Sequence, residues 1–230
     1  MFYITGDTHR DFKRVAAFCD TVNTTKDDTL IILGDAGINY FGAGKDREIK
    51  RLLRELPITL LCIHGNHERR PESTGLYQEI SWHGGTVYAE PMFPNILFAK
   101  DGEVYELDGK RCIAIGGAYS VDKHYRLANG WHWWADEQPS TEIRERVEGR
   151  LESESWSVDI ILSHTCPMKY IPREVFLSGI DQSGVDNATE EWLDGIEDRL
   201  SYKKWYCAHF HTNKVIDKMR FLFEDFVELR

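Results

Sequence analysis

Asp7-x-His9 stands near the start of the sequence and His209-x-His211 near its end. Between them lie Gly34-Asp35, Gly65-Asn66-His67-Glu68 and a lone His164. The side chains are carboxylates, imidazoles and one amide, with no thiolate, a donor set suited to divalent ions such as zinc, manganese or iron. In an extended segment, residues two apart point the same way, so Asp-x-His and His-x-His each offer two ligands to one side. A carboxylate has two oxygens and can bridge two cations. Asp35, alone after its apolar run, is the residue placed for that. Singly, each motif has a plainer reading: a Gly-Asp is a turn, and a His-x-His is a solvated pair.

Position argues against five unrelated turns. "FYIT" (2–5), "TLIIL" (29–33), "ITLLCI" (58–63), "VDIIL" (158–162) and "KWYCA" (204–208) are short apolar runs, and each ends in one of these motifs. Ligands in α/β sheets bind at the carboxyl ends of strands. Glycines 6, 34 and 65 let the chain turn tightly and bring the backbone close to bound ions.

The intervening segments supply the frame. Phe12, Val15, Ala16, Cys19 and Val22 follow helical spacing, as do Ile49, Leu52, Leu53 and Leu56, stopped by Pro57. The βαβαβ order with near-continuous apolar strands predicts a parallel sheet covered on both faces. From about Thr86 to Ala118 the strands shorten. Asp101-Gly102 and Asp108-Gly109 predict hairpins there, so this part is expected to be antiparallel. Ser140 or Thr141 caps a helix through Ile143, Val147 and Leu151. Asn187 with Glu190 resembles a capping box for a helix carrying Trp192, Leu193, Ile196 and Leu200. The tail from Lys214 reads as terminal strands. No repeat or linker divides residues 1–230, so one domain is expected.

Composition narrows the class. The 230 residues are 42% hydrophobic and 29% charged, as in globular proteins. No apolar run reaches membrane-helix length, and "MFYITGDTH" lacks a basic leader, so a cytoplasmic protein with no membrane partner is expected. Five cysteines without a CxxC pair read as buried packing residues in a reducing compartment, Cys166 beside His164 included. The net charge of −10 weighs against long nucleic acid as a partner. It leaves a small phosphate substrate open, since bound cations reverse the local sign.

These motifs, in this order, resemble the signature of the calcineurin-like metallophosphoesterase superfamily, over residues 7–211. The resemblance implies an α/β fold: a two-sheet sandwich of mixed parallel and antiparallel strands, flanked by helices. It implies one ion held by Asp7, His9, Asp35 and His211, and another by Asp35, Asn66, His164 and His209. His67 would be catalytic. The cofactor would be two divalent ions, manganese favoured among manganese, iron, zinc, nickel and cobalt. Two such ions, about 3.5–4 Å apart, acidify a shared water that attacks phosphorus in line. His67 would protonate the leaving oxygen or hydrogen-bond to the developing charge.

The expected activity is hydrolysis of a small phosphomonoester or phosphodiester, nucleotide-type esters included. A nuclease or Ser/Thr protein phosphatase on the same site is the alternative. Phosphoprotein phosphatases of the superfamily follow the Gly-Asp with Asp-Arg-Gly. Here "GDAGINYFG" puts Ile38 and Asn39 at those places, which removes that acid and that arginine. A non-catalytic scaffold would show broken ligands, and all seven positions carry competent ones. Substrate selection points to residues 116–140, rich in Trp, Tyr and basic groups. Arg126 is a two-donor fork for phosphate. Lys123, His124 and Trp133 are further substrate-binding candidates, with packing the competing role for the tryptophans. Arg69 and Arg70 read as a solvated turn. Composition leaves the oligomeric state open.

Overall fold

In the computed structural model, which describes residues 1–176 and 183–230, every apolar run read as a strand is one. In chain order the elements are β1 (Phe2–Thr5), α1 (Lys13–Val22), β2 (Thr29–Ile32), α2 (Ala43–Glu55), β3 (Thr59–Cys62), β4 (Gln78–Trp82), β5 (Gly85–Ala89), β6 (Ile96–Ala99), β7 (Val104–Leu107) and β8 (Lys110–Ile115). There follow α3 (Lys123–Ala128), α4 (Thr141–Ser153), β9 (Ile160–Ser163), α5 (Ala188–Glu197), β10 (Lys204–Cys207), β11 (Lys214–Ile216), β12 (Met219–Phe221) and β13 (Val227–Glu228).

The strands form two mixed sheets, ordered β13-β1-β2-β3-β6-β5-β4 and β11-β12-β10-β9-β8-β7. Four parallel strands make the middle of each: β1, β2, β3 and β6 in one, β12, β10, β9 and β8 in the other. Antiparallel strands flank them. Strand alternation sorts the core into layers. Ile31 of β2 and Ile160 and Leu162 of β9 meet between the sheets. Leu30 and Ile32 point outward onto Val15, Cys19 and Leu53 of α1 and α2. Ile161 points outward onto Val147 of α4 and Leu193 of α5. The result is the α/β sandwich the sequence implies, helix–sheet–sheet–helix. It explains why the central strands are apolar on both faces. All five cysteines are unpaired and buried, Cys166 within the outer layer under α4 and α5. Among the described residues no helix is long and apolar enough to cross a membrane.

Several local readings change. Asp108-Gly109 does turn the β7–β8 hairpin. Asp101-Gly102 does not: β6 and β7 belong to different sheets, and this turn carries the chain across. A further hairpin, β4–β5, turns at His83-Gly84, both with left-handed backbone. Ser140 caps α4, its Oγ accepting from the Ile143 amide at 3.4 Å. Asn187 makes no side-chain cap on α5. Asp186 Oδ1 takes the Ala188 amide instead, and Glu190 is buried with Thr165 Oγ1 donating to it at 2.7 Å.

Arg70 is not in a solvated turn. Arg69 bonds the Ser73 carbonyl, but Arg70 is buried against Asp101, Nη1 to Oδ2 2.6 Å. Its Nε also donates to the Asp136 carbonyl at 2.8 Å. Asp101 in turn accepts from the Gly116 amide. This buried pair ties the loop after β3, the sheet crossover and the 116–140 segment together. A buried charge left without its partner costs about 3–5 kcal/mol, whereas removing both costs far less. Arg70→Met is therefore expected to lose about 3–5 kcal/mol in urea unfolding. The Arg70→Met/Asp101→Leu double variant should recover much of it, and simple additivity would show that the pair is not coupled.

Candidate metal centre

The carboxyl ends of β1, β2, β3, β9 and β10 come to one rim, and their loops close on a common point. Asp7, Asp35, Asn66 and His164 are buried there, with His9, His67, His209 and His211 around them. Three sets of acids and imidazoles each bring their ligand atoms within 4.8 Å of one another: Asp7, His9, His211; His9, Asp35, His67; and Asp7, Asp35, His164. Asp35 is central, its Oδ2 lying 3.6 Å from His67 Nδ1, 3.9 Å from His9 Nδ1 and 3.9 Å from His164 Nε2.

Backbone strain and absent side chains make this approach possible. His9, Arg10, Asp35, His209 and His211 all hold left-handed backbone, unusual for non-glycine residues. Gly34 has φ +104, and a Cβ there would lie 2.0 Å from His164 Nδ1. A Cβ on Gly65 would lie 2.0 Å from Asp35 Oδ1. At these two positions the glycines make room for neighbouring ligand loops.

Each ligand is aimed by a second contact. His164 Nδ1–H donates to the Leu33 carbonyl at 2.7 Å, which leaves the Nε2 lone pair facing the cluster. Asn66 Nδ2 donates to Ser120 Oγ at 2.9 Å, turning its Oδ1 toward His164 Nε2 at 2.8 Å and His209 Nδ1 at 3.1 Å. The His67 amide donates to Asp35 Oδ1 at 2.8 Å. Buried Glu68 accepts from the Gly37 and Gly65 amides and so joins the loops after β2 and β3. Burial opposes ionisation of Asp35, but His164, His67 and His9 outweigh it and hold the carboxyl well below the usual range. Burial and His164 push His209 well below the usual imidazole range, toward the neutral form a metal requires.

These donors fit divalent ions. Ligand atoms about 2.1 Å from one ion lie about 3.0–3.4 Å apart for angles between right and tetrahedral. His9 Nε2 and His211 Nε2 are 2.9 Å apart, and Asp7 Oδ2 and His211 Nε2 are 3.2 Å apart. Asp7 Oδ2 is buried with His211 Nε2 its near polar neighbour, so a cation between the two would take both as ligands.

His67 lies at the edge of the cluster between two charges that come from the 116–140 segment. Its Nε2 is 3.3 Å from Asp122 Oδ1, and Arg126 Nη2 is 2.9 Å from its Nδ1. Arg126 Nε also bonds both Asp122 oxygens, at 2.9 and 2.8 Å, and its Nη1 reaches Tyr40 OH at 3.1 Å. Burial pulls the His67 pKa down, yet Asp122 and Asp35 raise it above its ordinary value. Asp122, Ser120 and Tyr40 are absent from the residues singled out by sequence. Asp122 and Arg126 do stand four apart, the spacing of an ion pair at the start of a helix. Of the four substrate-binding candidates, Arg126 alone contacts the cluster. Lys123 Nζ sits over the Trp133 ring at 4.1 Å, Trp133 Nε1 donates to Glu137 at 2.8 Å, and His124 is exposed on α3.

Gly65→Ala tests the close packing of the ligand loops. The added methyl would meet the Asp35 carboxylate oxygen at 2.0 Å and its backbone nitrogen at 2.2 Å, so the whole Asp35 turn must shift. Calorimetric titration with manganese should show at least about tenfold weaker binding, with circular dichroism checking that the variant is folded. Unchanged affinity would mean that the contact does not position Asp35.

Structures of low similarity share much of the chain's length. A protein of unknown function from Aquifex aeolicus is 15% identical, with 88% of this chain and 87% of that one covered at a TM-score of 0.38. TT1561 of Thermus thermophilus is 14% identical over 90% and 80% at 0.46. The phosphopantetheinyl hydrolase of Mycobacterium tuberculosis is 13% identical over 96% and 87% at 0.45. No curated protein matches the chain. The family model for calcineurin-like phosphoesterases matches residues 1–213, which takes in every ligand-bearing strand end, and the chain belongs to that family.

Proposed function

We propose that the protein is a hydrolase of small phosphate esters that works with two divalent ions. Asp7, His9, Asp35 and His211 would hold one ion, Asp35, Asn66, His164 and His209 the other, with Asp35 shared. The observation that carries this is the central place of Asp35, whose Oδ2 faces imidazoles of both sets. The mixed oxygen and imidazole donors admit manganese, iron, zinc, nickel or cobalt, with manganese the first to add back. Family membership and the phosphoesterase chemistry it carries support the reading.

When bound, such ions acidify water toward neutral pH and offset the charge of the phosphate. The chain's own residues act on the leaving side. His67 Nε2–H donates to Asp122, which fixes the ring and stabilises its charged form. Nδ1 then faces the cluster beside Asp35, where it holds the proton given to the departing oxygen. Arg126, bonded to Nδ1 in the free protein, turns its planar donors to the phosphate when one enters. Asp122 and Arg126 thus supply the acid and the arginine that "GDAGINYFG" lacks.

Chelator-stripped protein is expected to be inactive on p-nitrophenyl phosphate and bis(p-nitrophenyl) phosphate. Added divalent ion should restore turnover at two ions per chain, read by elemental analysis. No turnover with any ion sinks the reading, and the ratio of the two rates decides between monoester and diester. His67→Ala should keep its metal content and lose about 10²–10⁴ in kcat. Asp122→Asn should lower kcat about tenfold or more and move the acid limb of the kcat–pH profile, since it acts through the imidazole. The same variant should also raise KM, because Asp122 holds Arg126. An unaltered kcat removes the residue concerned from the chemistry.

A further inference from the structure

Beside His209 and His211 opens a cavity of about 540 Å³. Val121, Met168, Ile171, Val175, Phe176 and Phe210 line much of it. Ile171 and Phe210 back onto the core layer under the second sheet, and Phe176 stacks on Phe210 with ring centroids 6.2 Å apart. The floor is therefore held in place. Val121 and Val175 are 64% and 40% exposed, apolar surface that no other part of the described residues covers. The two acids in the lining are already engaged, Glu190 by Thr165 and Asp122 by Arg126 and His67. Arg173, Asn187 and Tyr119 are its other polar members apart from the two histidines.

On the reading of the site as a phosphoesterase centre, we propose that this cavity receives the alcohol part of the substrate, and that the alcohol is extended and apolar. A cavity that runs from metal-ligand histidines into aliphatic and aromatic walls matches a molecule with phosphate at one end and hydrocarbon at the other. A sugar or nucleoside fits poorly, because its hydroxyls would lose water against Val, Ile, Met and Phe with few free partners. The cavity also reaches the carboxylate that orients the acid. Asp122, which steers His67, is part of its lining. Hydrolysis breaks the bond from phosphorus to the alcohol oxygen and forms one to a water oxygen. The alcohol leaves into the cavity with the proton from His67.

A series of n-alkyl phosphates from methyl to octyl isolates the effect, since leaving-group acidity hardly changes along it. With manganese-loaded protein, kcat/KM is expected to rise about two- to fourfold per methylene until the cavity is filled. Val121→Glu and Val175→Glu, at exposed positions, should bring the octyl-to-methyl ratio toward one. A flat series in the unmodified protein overturns the proposal, and so does a slope that both variants leave intact. Calorimetry with the matching n-alkylphosphonates reads the same dependence in Kd without turnover. Length-dependent phosphonate binding with no hydrolysis of any ester would end the phosphoesterase reading and leave the cavity assignment standing.

Discussion

Two carboxylates, those of Asp7 and Asp35, are each only 2% exposed, and the architecture of the rim follows from the need to neutralise them. A buried carboxylate without compensation costs several kcal/mol. Imidazoles compensate only partly, because burial drives His9 and His209 toward the neutral form, while His67 and His211 are held above their ordinary value by neighbouring acids. The divalent cations that membership of the family implies would complete the balance. Five of the eleven non-glycine residues with left-handed backbone among the described residues carry or adjoin these groups. Each such residue costs about 1–3 kcal/mol and persists only where surrounding structure dictates it. Here the two packed sheets do so, with their parallel strands ending at one place.

A second set of charges, of separate origin, is laid over the first. Asp122 and Arg126 arrive on the connection from β8 to α4, and Asp46 and Tyr40 hold neighbouring loops through Arg10 and Arg126. The buried Arg70–Asp101 pair secures that connection to the loop that carries Asn66. The candidate ligands are thus fixed by sheets and strained turns, and the histidine beside them by a strap pinned at a few points.

The convergence of these candidate ligands was legible in the sequence because apolar strands and the polar residues that follow them are both one-dimensional patterns. β1, β2, β3, β9 and β10 could be drawn from hydrophobicity alone, and the residues just beyond their ends were the candidate donors. Asp122 was not legible. Its neighbours Lys123, Arg126 and Trp133 drew attention to cations and rings, and nothing local shows that the segment folds back over His67. Asp101-Gly102 and Asp108-Gly109 show the same limit. Both dipeptides form tight turns, but local geometry does not decide which sheet the next strand joins. Strand β4 escaped because its residues lie mostly exposed at an edge, without clean alternation. Glu190 had the spacing of a capping box, yet burial beside Thr165 claimed its carboxylate.

The strap from residue 116 to 140 also divides labour within the molecule. Its replacement would leave both sheets and the glycine contacts at 34 and 65 in place, while exchanging Asp122, Arg126, the Ser120 hydroxyl that orients Asn66 and one wall of the cavity. On the proposed reading, the type of reaction and the choice of what is cleaved would rest on different parts of the chain. New selectivity can arise by altering one connection, with little penalty to the packed interior.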